Sequence, residues 1–336
     1  MKKTLFALGI SAFTASTMAM QPLPKEAGFS AFVGAGAAGG VVESNFLAEI
    51  VGIDLSNDKI YNYDSPNNTT IIIPNFKLAL SYLFSNEKTA VTLNNAIESS
   101  LDFTSNMKLG LRHDFDNVGN IEVAGLLGND LVGLKVWEDP YLQGQSREAT
   151  DYKTSGGMIT WDKMFGSDLE LIVKTLKVDL DDEQSGQSLG LSSAQRDLLD
   201  REGNLNRAEL GYQFVVNGGE YVFRPSVAYL DRDLDGDAMA QDGFELGVAM
   251  VYSNPSYSWA NKAVYQRLDG DKDNPIFLEK NDADVYMFSS EVTIPEPMGW
   301  EKWVARVGVV YAQNDASINF NKSKVAMLSA NLGRSF

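Results

Sequence analysis

The most specific chemical signature in this chain is acidic. Asp231, Asp233 and Asp235 are followed by Gly236, and Asp242 falls at the twelfth place of the run. Hard carboxylate ligands at that spacing begin a calcium-binding loop, and a glycine at the sixth place permits the turn that lets them converge. The closing ligand is Asp where a bidentate Glu is usual, and strand-like segments flank the run instead of helices, so a solvated acidic loop is the competing reading. The related run Asp269 to Asp273 lacks the glycine, and Asp179, Asp181, Asp182 and Glu183 read as solvated. No other cofactor is expected.

Catalytic chemistry is poorly provided for. The sole histidine, His113, alternates with Leu111 and Phe115 on an apolar face, while Asp114 points the other way, so no Ser/His/Asp relay forms around it. Glu170, Glu209 and Glu291 could pair as acid and base, but they read better as interior structural charges. The Gly/Ala run from Gly34 to Gly40 lacks the Lys-Ser/Thr ending of a phosphate loop. The expectation is a protein that is not an enzyme.

A second set of charges is distributed over the whole chain. Lys77, Lys108, Arg112, Lys174, Arg207, Arg224, Lys262 and Arg306, with Glu170, Glu209 and Glu291, each sit on the polar side of a segment whose other side is apolar. If those segments are strands of a barrel, these eleven residues line its lumen. They would then set selectivity for small hydrophilic or anionic solutes, or simply pair with one another to satisfy the interior.

The segments that must position them have period two. Phe76, Leu78, Leu80 and Tyr82 oppose Asn75, Lys77 and Ser81; Leu210, Tyr212 and Phe214 oppose Arg207, Glu209 and Gln213. Short connections are expected near 85–88, 116–120, 162–167, 217–219, 253–256 and 295–301. Long ones are expected near 46–68, 96–105, 138–154, 180–204, 231–242, 269–283 and 313–323. That alternation predicts an all-β, antiparallel up-and-down transmembrane barrel of about fourteen strands, with short periplasmic turns and long acidic extracellular loops. Twelve strands is the fallback if the weak segment near Met158–Thr160 and its neighbour are not strands. Aromatic residues crowd the turn-proximal ends (Tyr82, Phe84, Tyr212, Phe214, Tyr252, Tyr257, Trp259, Trp300, Trp303), where an interfacial girdle belongs. Pro225, and Pro74 with it, should mark a bulge.

Composition fits an exported protein. Lys2 and Lys3, an apolar run from Leu5 to Phe13 and the small-residue site Thr17-Met18-Ala19 predict a signal peptide over residues 1–19. A short leader, 20–27, then precedes a single barrel domain, 28–336. There is no cysteine, hence no disulfide or thiolate site, and no apolar stretch long enough for a transmembrane helix. Loss of Lys2 and Lys3 takes the formal net charge from −17 to −19, which disfavours nucleic acid as a partner.

The C-terminal stretch alternates Leu328, Ala330, Leu332 and Phe336 with small or polar residues, and its partner should be the strand from Gly28 to Val41. Gly28-Phe29-Ser30, Ser44-Asn45-Phe46 and the terminal Gly333-Arg334-Ser335-Phe336 resemble an uncharacterised outer-membrane β-barrel family of marine gamma-proteobacteria, porin-like in layout and carrying a domain of unknown function. The C-terminus also resembles the signal read by barrel-assembly machinery, departing from it at Arg334. The resemblance implies a Gram-negative outer membrane as location, lipid and lipopolysaccharide as surroundings, the assembly machinery as partner, and no catalytic residues. Two functional expectations remain: a porin-like channel for small hydrophilic solutes, or a non-conducting barrel whose acidic loops bind a partner, a glycan or divalent cations.

Overall fold

In the computed structural model the described residues are 26–55, 57–99, 104–128 and 133–336. The predicted signal peptide and most of the leader lie outside them. Fourteen strands form the wall: β1 (Gly28–Glu43), β2 (Asn68–Leu83), β3 (Thr89–Ser99), β4 (Thr104–Asp114), β5 (Asn120–Gly128), β6 (Ala149–Asp162) and β7 (Leu169–Leu180). They continue with β8 (Gly203–Tyr212, prolonged by Phe214–Val216), β9 (Tyr221–Leu234), β10 (Gln241–Ser253), β11 (Ser258–Gly270), β12 (Ala283–Pro295), β13 (Trp303–Ala316) and β14 (Ser323–Ser335). Every strand is antiparallel to the next, and β14 pairs with β1 from Phe32↔Ser335 to Glu43↔Lys324, which closes the barrel. The segment around Met158 is a full strand, so fourteen stands and twelve does not.

Alternation of residue types maps onto the two faces of this wall. Val33, Ile72, Phe76, Leu109, Val123 and Leu246 point outward and are exposed, while Arg112, Glu122, Glu209 and Arg224 point inward and are buried. A continuous apolar exterior of this extent is what a lipid-facing barrel presents. No helix among the described residues is long and apolar enough to cross a membrane; the crossing is made by strands. Ring pairs Tyr82–Phe84, Tyr212–Phe214, Tyr252–Tyr257 and Trp300–Trp303 gather at the short-turn end as the expected girdle. Arg334 points outward beside them, its guanidinium 5.4 Å from the Phe336 ring centroid. Its charge is thereby held at the interface over a short apolar stem.

Three sequence expectations need correction. The long connections near 96–105, 231–242 and 313–323 are mostly strand: β3 ends at Ser99 and β4 begins at Thr104, while only 235–240 and 317–322 lie between the flanking strands of the other two. Polar residues there do not end pairing, because above the membrane both faces of a ribbon can be wet. Pro225 produces no bulge. The β8–β9 register is the same on both sides of it, Gly211↔Ser226 and Phe214↔Phe223, and the ladder is merely interrupted. Gln213 N–H bonds instead to Asp168 on the other neighbour at 3.0 Å. Pro74 likewise stays in register with Ala37.

Of the long extracellular connections, the one after β1 and the one after β5 carry short strands of their own. Leu47–Ile50, Ile53–Asp54 and Leu134–Trp137 form a small sheet that joins the upper end of β6 through Lys135↔Asp151 to Trp137↔Ala149.

Candidate functional site

The inward faces of β7 to β11 assemble a belt of buried charges. Arg224 donates to Glu170 at 2.5 Å and to Glu209 at 2.6 Å; Arg207 reaches Glu209 and, at 2.7 Å, Glu245. Gln266 donates to Glu245 at 2.8 Å, and Lys262 stands among Glu209, Arg207, Glu245 and Arg224. Period two explains the grouping: Glu209 and Arg207 are two apart on β8, and the antiparallel ladder brings Arg224 and Glu245 alongside. On the other wall Lys108 meets Glu122 at 2.8 Å, Arg112 lies 3.8 Å from Asp162, and Lys77 reaches across the lumen to Glu291 at 2.7 Å. Arg306 lies 3.9 Å from Glu291 and stacks on the ring of Phe32 at 4.6 Å. Lys174 is half-buried on the inner face of β7.

All eleven residues singled out from the sequence thus face inward, and most are drawn into ion pairs. Three partners were missed: Glu122, Asp162 and Glu245. The same alternation marks them, since Glu122 falls between Ile121 and Val123 and Glu245 between Phe244 and Leu246.

Above the belt, apolar packing of the described loop residues spans the mouth. The small loop sheet packs Leu47, Ile50, Leu55, Leu134 and Val136 against Val42 and Ile71 on one side and Val178 and Leu180 on the other. Strands β1–β2 and β7 lie on opposite walls, so the sheet crosses the lumen. A second apolar core lies over it, in which Tyr141, Leu199, Ile318 and Phe320 are buried and Phe46, Tyr63, Met239 and Phe277 pack against them. Five extracellular connections besides the first contribute to it, with rings such as Tyr141 and Phe320 5.4 Å apart.

Polar clamps hold this dome. Arg147 is buried, donates to the carbonyls of Asn45 and Pro140 at 3.0 and 2.9 Å and also to that of Asn57, and stacks on Trp137 at 4.6 Å. Burial lowers its guanidinium to about 10, against the pull of Asp58 and Asp139. The Asp139 carboxylate accepts from the N–H groups of Tyr141, Gly186 and Ser188 and from the Ser188 hydroxyl, at 2.7–3.1 Å. Burial pushes the Tyr141 hydroxyl well up. None of these residues has a periodic signal, because loop packing follows no fixed spacing.

The calcium expectation meets a different geometry. Asp231 and Asp233 lie in β9, Asp235 just beyond it, and Asp242 in β10 directly opposite Asp231. An extended strand separates such residues where a calcium loop would curl them together. Gly236 is used for close approach: a Cβ there would lie 2.4 Å from Asp200 N. Among the described residues no group of three or more acidic or histidine side chains is placed to hold a metal ion. His113 points outward, with Nδ1 2.8 Å from the Thr89 hydroxyl and its ring 4.4 Å from that of Phe115. Of the terminal residues, Leu328, Leu332 and Phe336 are exposed on the outer face, as is Ala330.

Residues 28–334 match the family model described as "Protein of unknown function (DUF2860)". No curated protein matches the chain. Among solved structures, a Pseudomonas aeruginosa FadL homologue is 10% identical, with 92% of this chain and 90% of that one covered and a TM-score of 0.46. The outer membrane channel DcaP of Acinetobacter baumannii is 10% identical over 92% and 96%, TM-score 0.44. A loop-deletion mutant of OmpT, an outer membrane protein of Vibrio cholerae, is 11% identical over 93% and 100%, TM-score 0.41.

Proposed function

We propose that this chain, which belongs to the DUF2860 family of proteins of unknown function, is an outer-membrane channel for small hydrophilic solutes, seen with its extracellular mouth shut. The belt of buried charges beneath the loop dome carries the reading. Replacing buried ion pairs by apolar residues of similar volume is often neutral or stabilising, by ~1–4 kcal/mol. A barrel that needed only a filled interior would gain nothing from Arg224, Glu170, Glu209, Arg207 and Glu245, whereas a lumen that hydrates when the dome lifts needs a polar wall. The small sheet and its two apolar cores then form the movable part, and the fourteen-stranded wall the fixed part.

The dome itself favours a second reading, a barrel that does not conduct and whose acidic loops take a partner. Planar-bilayer recording of refolded protein separates the two. The channel reading expects rare unitary openings in the native chain and frequent ones after Arg147→Ala, with ion selectivity altered by Glu209→Gln. Silence from both the native chain and Arg147→Ala at every voltage overturns it and leaves the second.

A further inference from the structure

The girdle at the outer membrane surface is broken on one side of the barrel. On the outward face Tyr265 pairs with Tyr286, Tyr286 with Gln313, Gln313 with Lys324, and Lys324 with Glu43, so these side chains make one row across β11, β12, β13, β14 and β1. The two tyrosine rings, 5.5 Å apart, are what a headgroup layer ordinarily meets. The next three strands put an amide, a cation and a carboxylate in the same row.

Register fixes the depth of that row. Trp303, Arg334 and Val33 form the corresponding row at the short-turn end, through Trp303↔Arg334 and Val33↔Arg334. From there each strand runs ten residues to the polar row, 303 to 313, 334 to 324 and 33 to 43. A strand crosses the bilayer in about 9–11 residues. Gln313, Lys324 and Glu43 therefore stand where the hydrocarbon of the outer leaflet ends. Parity turns them toward lipid, with Val309, Leu328 and Val33 exposed on the same face below.

The three line a cavity of about 260 Å³, completed by Lys322, Ser323 and Asn314 and by Ser65 and Pro66 of the first long loop. That loop is tied down, because buried Asn45 donates to the carbonyls of Asp64 and Phe320, each at 3.0 Å. A preformed cleft spares a ligand much of the cost of ordering its site. Lys324 lies 3.0 Å from Glu43 and Lys322 3.0 Å from Asp315, so each cation is neutralised where it stands. Tyr311 donates to Gln313 Oε1, which leaves the Nε2 end of that amide as a donor. Donors and acceptors thus sit side by side with their charges balanced. A hydroxyl-rich ring, each O–H of which donates and accepts, matches this lining; an acyl chain would leave its polar groups unpaired. The volume falls just below the range usual for ligand pockets, about 300–1,000 Å³, and suits one sugar unit.

We propose that this cleft beside the closing seam binds a single uncharged sugar unit in the headgroup of an outer-leaflet glycolipid. The site lies outside the lumen and is independent of axial conduction.

Native mass spectrometry of the refolded full chain in tetraethylene glycol monooctyl ether, a detergent without sugar, tests it. The probes are monoglucosyl and monogalactosyl diacylglycerol, phosphatidic acid with the same acyl chains, and the two methyl glycosides free in solution. Ser65→Trp fills the cleft from the loop, and Gln313→Leu removes the amide from its wall. Heat-modifiable gel mobility verifies that both variants fold. The native chain should retain one glycolipid with an affinity about tenfold or more above that of either variant. No retention by the native chain, or equal retention by all three proteins, overturns the proposal. Phosphatidic acid held more tightly than either glycolipid would make this an anion site, and methyl glycosides bound as tightly as the glycolipids would make the ligand soluble; each result overturns it too.

Discussion

The ring of Phe32 on the first strand lies against the backbone of Gly333 on the last, so close that a Cβ at position 333 would sit 2.3 Å from its Cζ. Residue 333 pairs with Gly34 across the closing seam, and the Arg306 guanidinium lies 4.6 Å from the centroid of the same Phe32 ring. Gly333 is thus a socket for the ring, and the ring in turn fixes a buried charge. Gly333→Ala forces the ring away and is expected to cost about 1–3 kcal/mol, read as a lower urea midpoint in lipid vesicles. Phe32→Ala in the same chain should relieve most of the clash, giving clear non-additivity. Additive effects would mean that the seam does not depend on this contact.

Arg224 is the shared cation of Glu170 and Glu209, and all three are nearly buried. Removing it leaves buried Glu170 without its cation and Glu209 with Arg207 as its remaining ion-pair partner. Arg224→Leu should therefore destabilise the barrel by about 3–5 kcal/mol, whereas Arg224→Leu with Glu170→Gln and Glu209→Gln should recover most of that. Urea unfolding of the single and triple variants measures it; a single variant as stable as the native chain would show that the belt is already hydrated.

What the sequence disclosed and what it concealed follow from periodicity. Two-residue alternation marks Glu209 and Arg224 as inward and Leu246 as outward, because a one-residue slip would reverse every side chain. The closing pair of strands, β1 with β14, was legible for the same reason. Alternation gives no angular order around the barrel, so Lys77 facing Glu291 across four intervening strand boundaries could not be read. The dome escaped altogether: Phe46, Tyr141 and Phe320 come from separate loops and meet only when the wall brings the loop ends together. The calcium reading rests on a spacing that assumes a curled loop, whereas β9 carries Asp231 and Asp233 in extended backbone.

Arg147 joins the first long loop to the third through three carbonyls and a ring. Arg147→Ala removes charge-assisted bonds worth about 1.5–3 kcal/mol each and leaves those carbonyls buried. The loops should open while the wall persists. Limited digestion with proteinase K should cut the extracellular loops faster than in the native protein and leave a heat-modifiable barrel core. Arg147→Lys should restore little, since one ammonium cannot meet carbonyls on both loops and also stack on Trp137. Native resistance in Arg147→Ala would place the clamp elsewhere.

Asp271, just beyond β11, has its carboxyl raised by partial burial and then by the neighbouring Asp242 and Asp237, against the weaker pull of Lys280. A carboxyl whose folded value lies above its unfolded one is penalised in its charged form. That penalty is absent below the unfolded value, where both states are protonated, and it is fully present once pH has risen through the folded value. Asp271→Asn should therefore raise the midpoint of loop unfolding at neutral pH, and the gain should vanish as pH falls below the carboxylate range. Thermal scans monitored by proteolysis of the 271–282 loop at pH 7 and at about pH 3, below the unperturbed aspartate value, would show it. A gain that persists in acid would point to the amide's hydrogen bonding, and a loss at neutral pH would mean that the Asp271 carboxylate is stabilised where it stands.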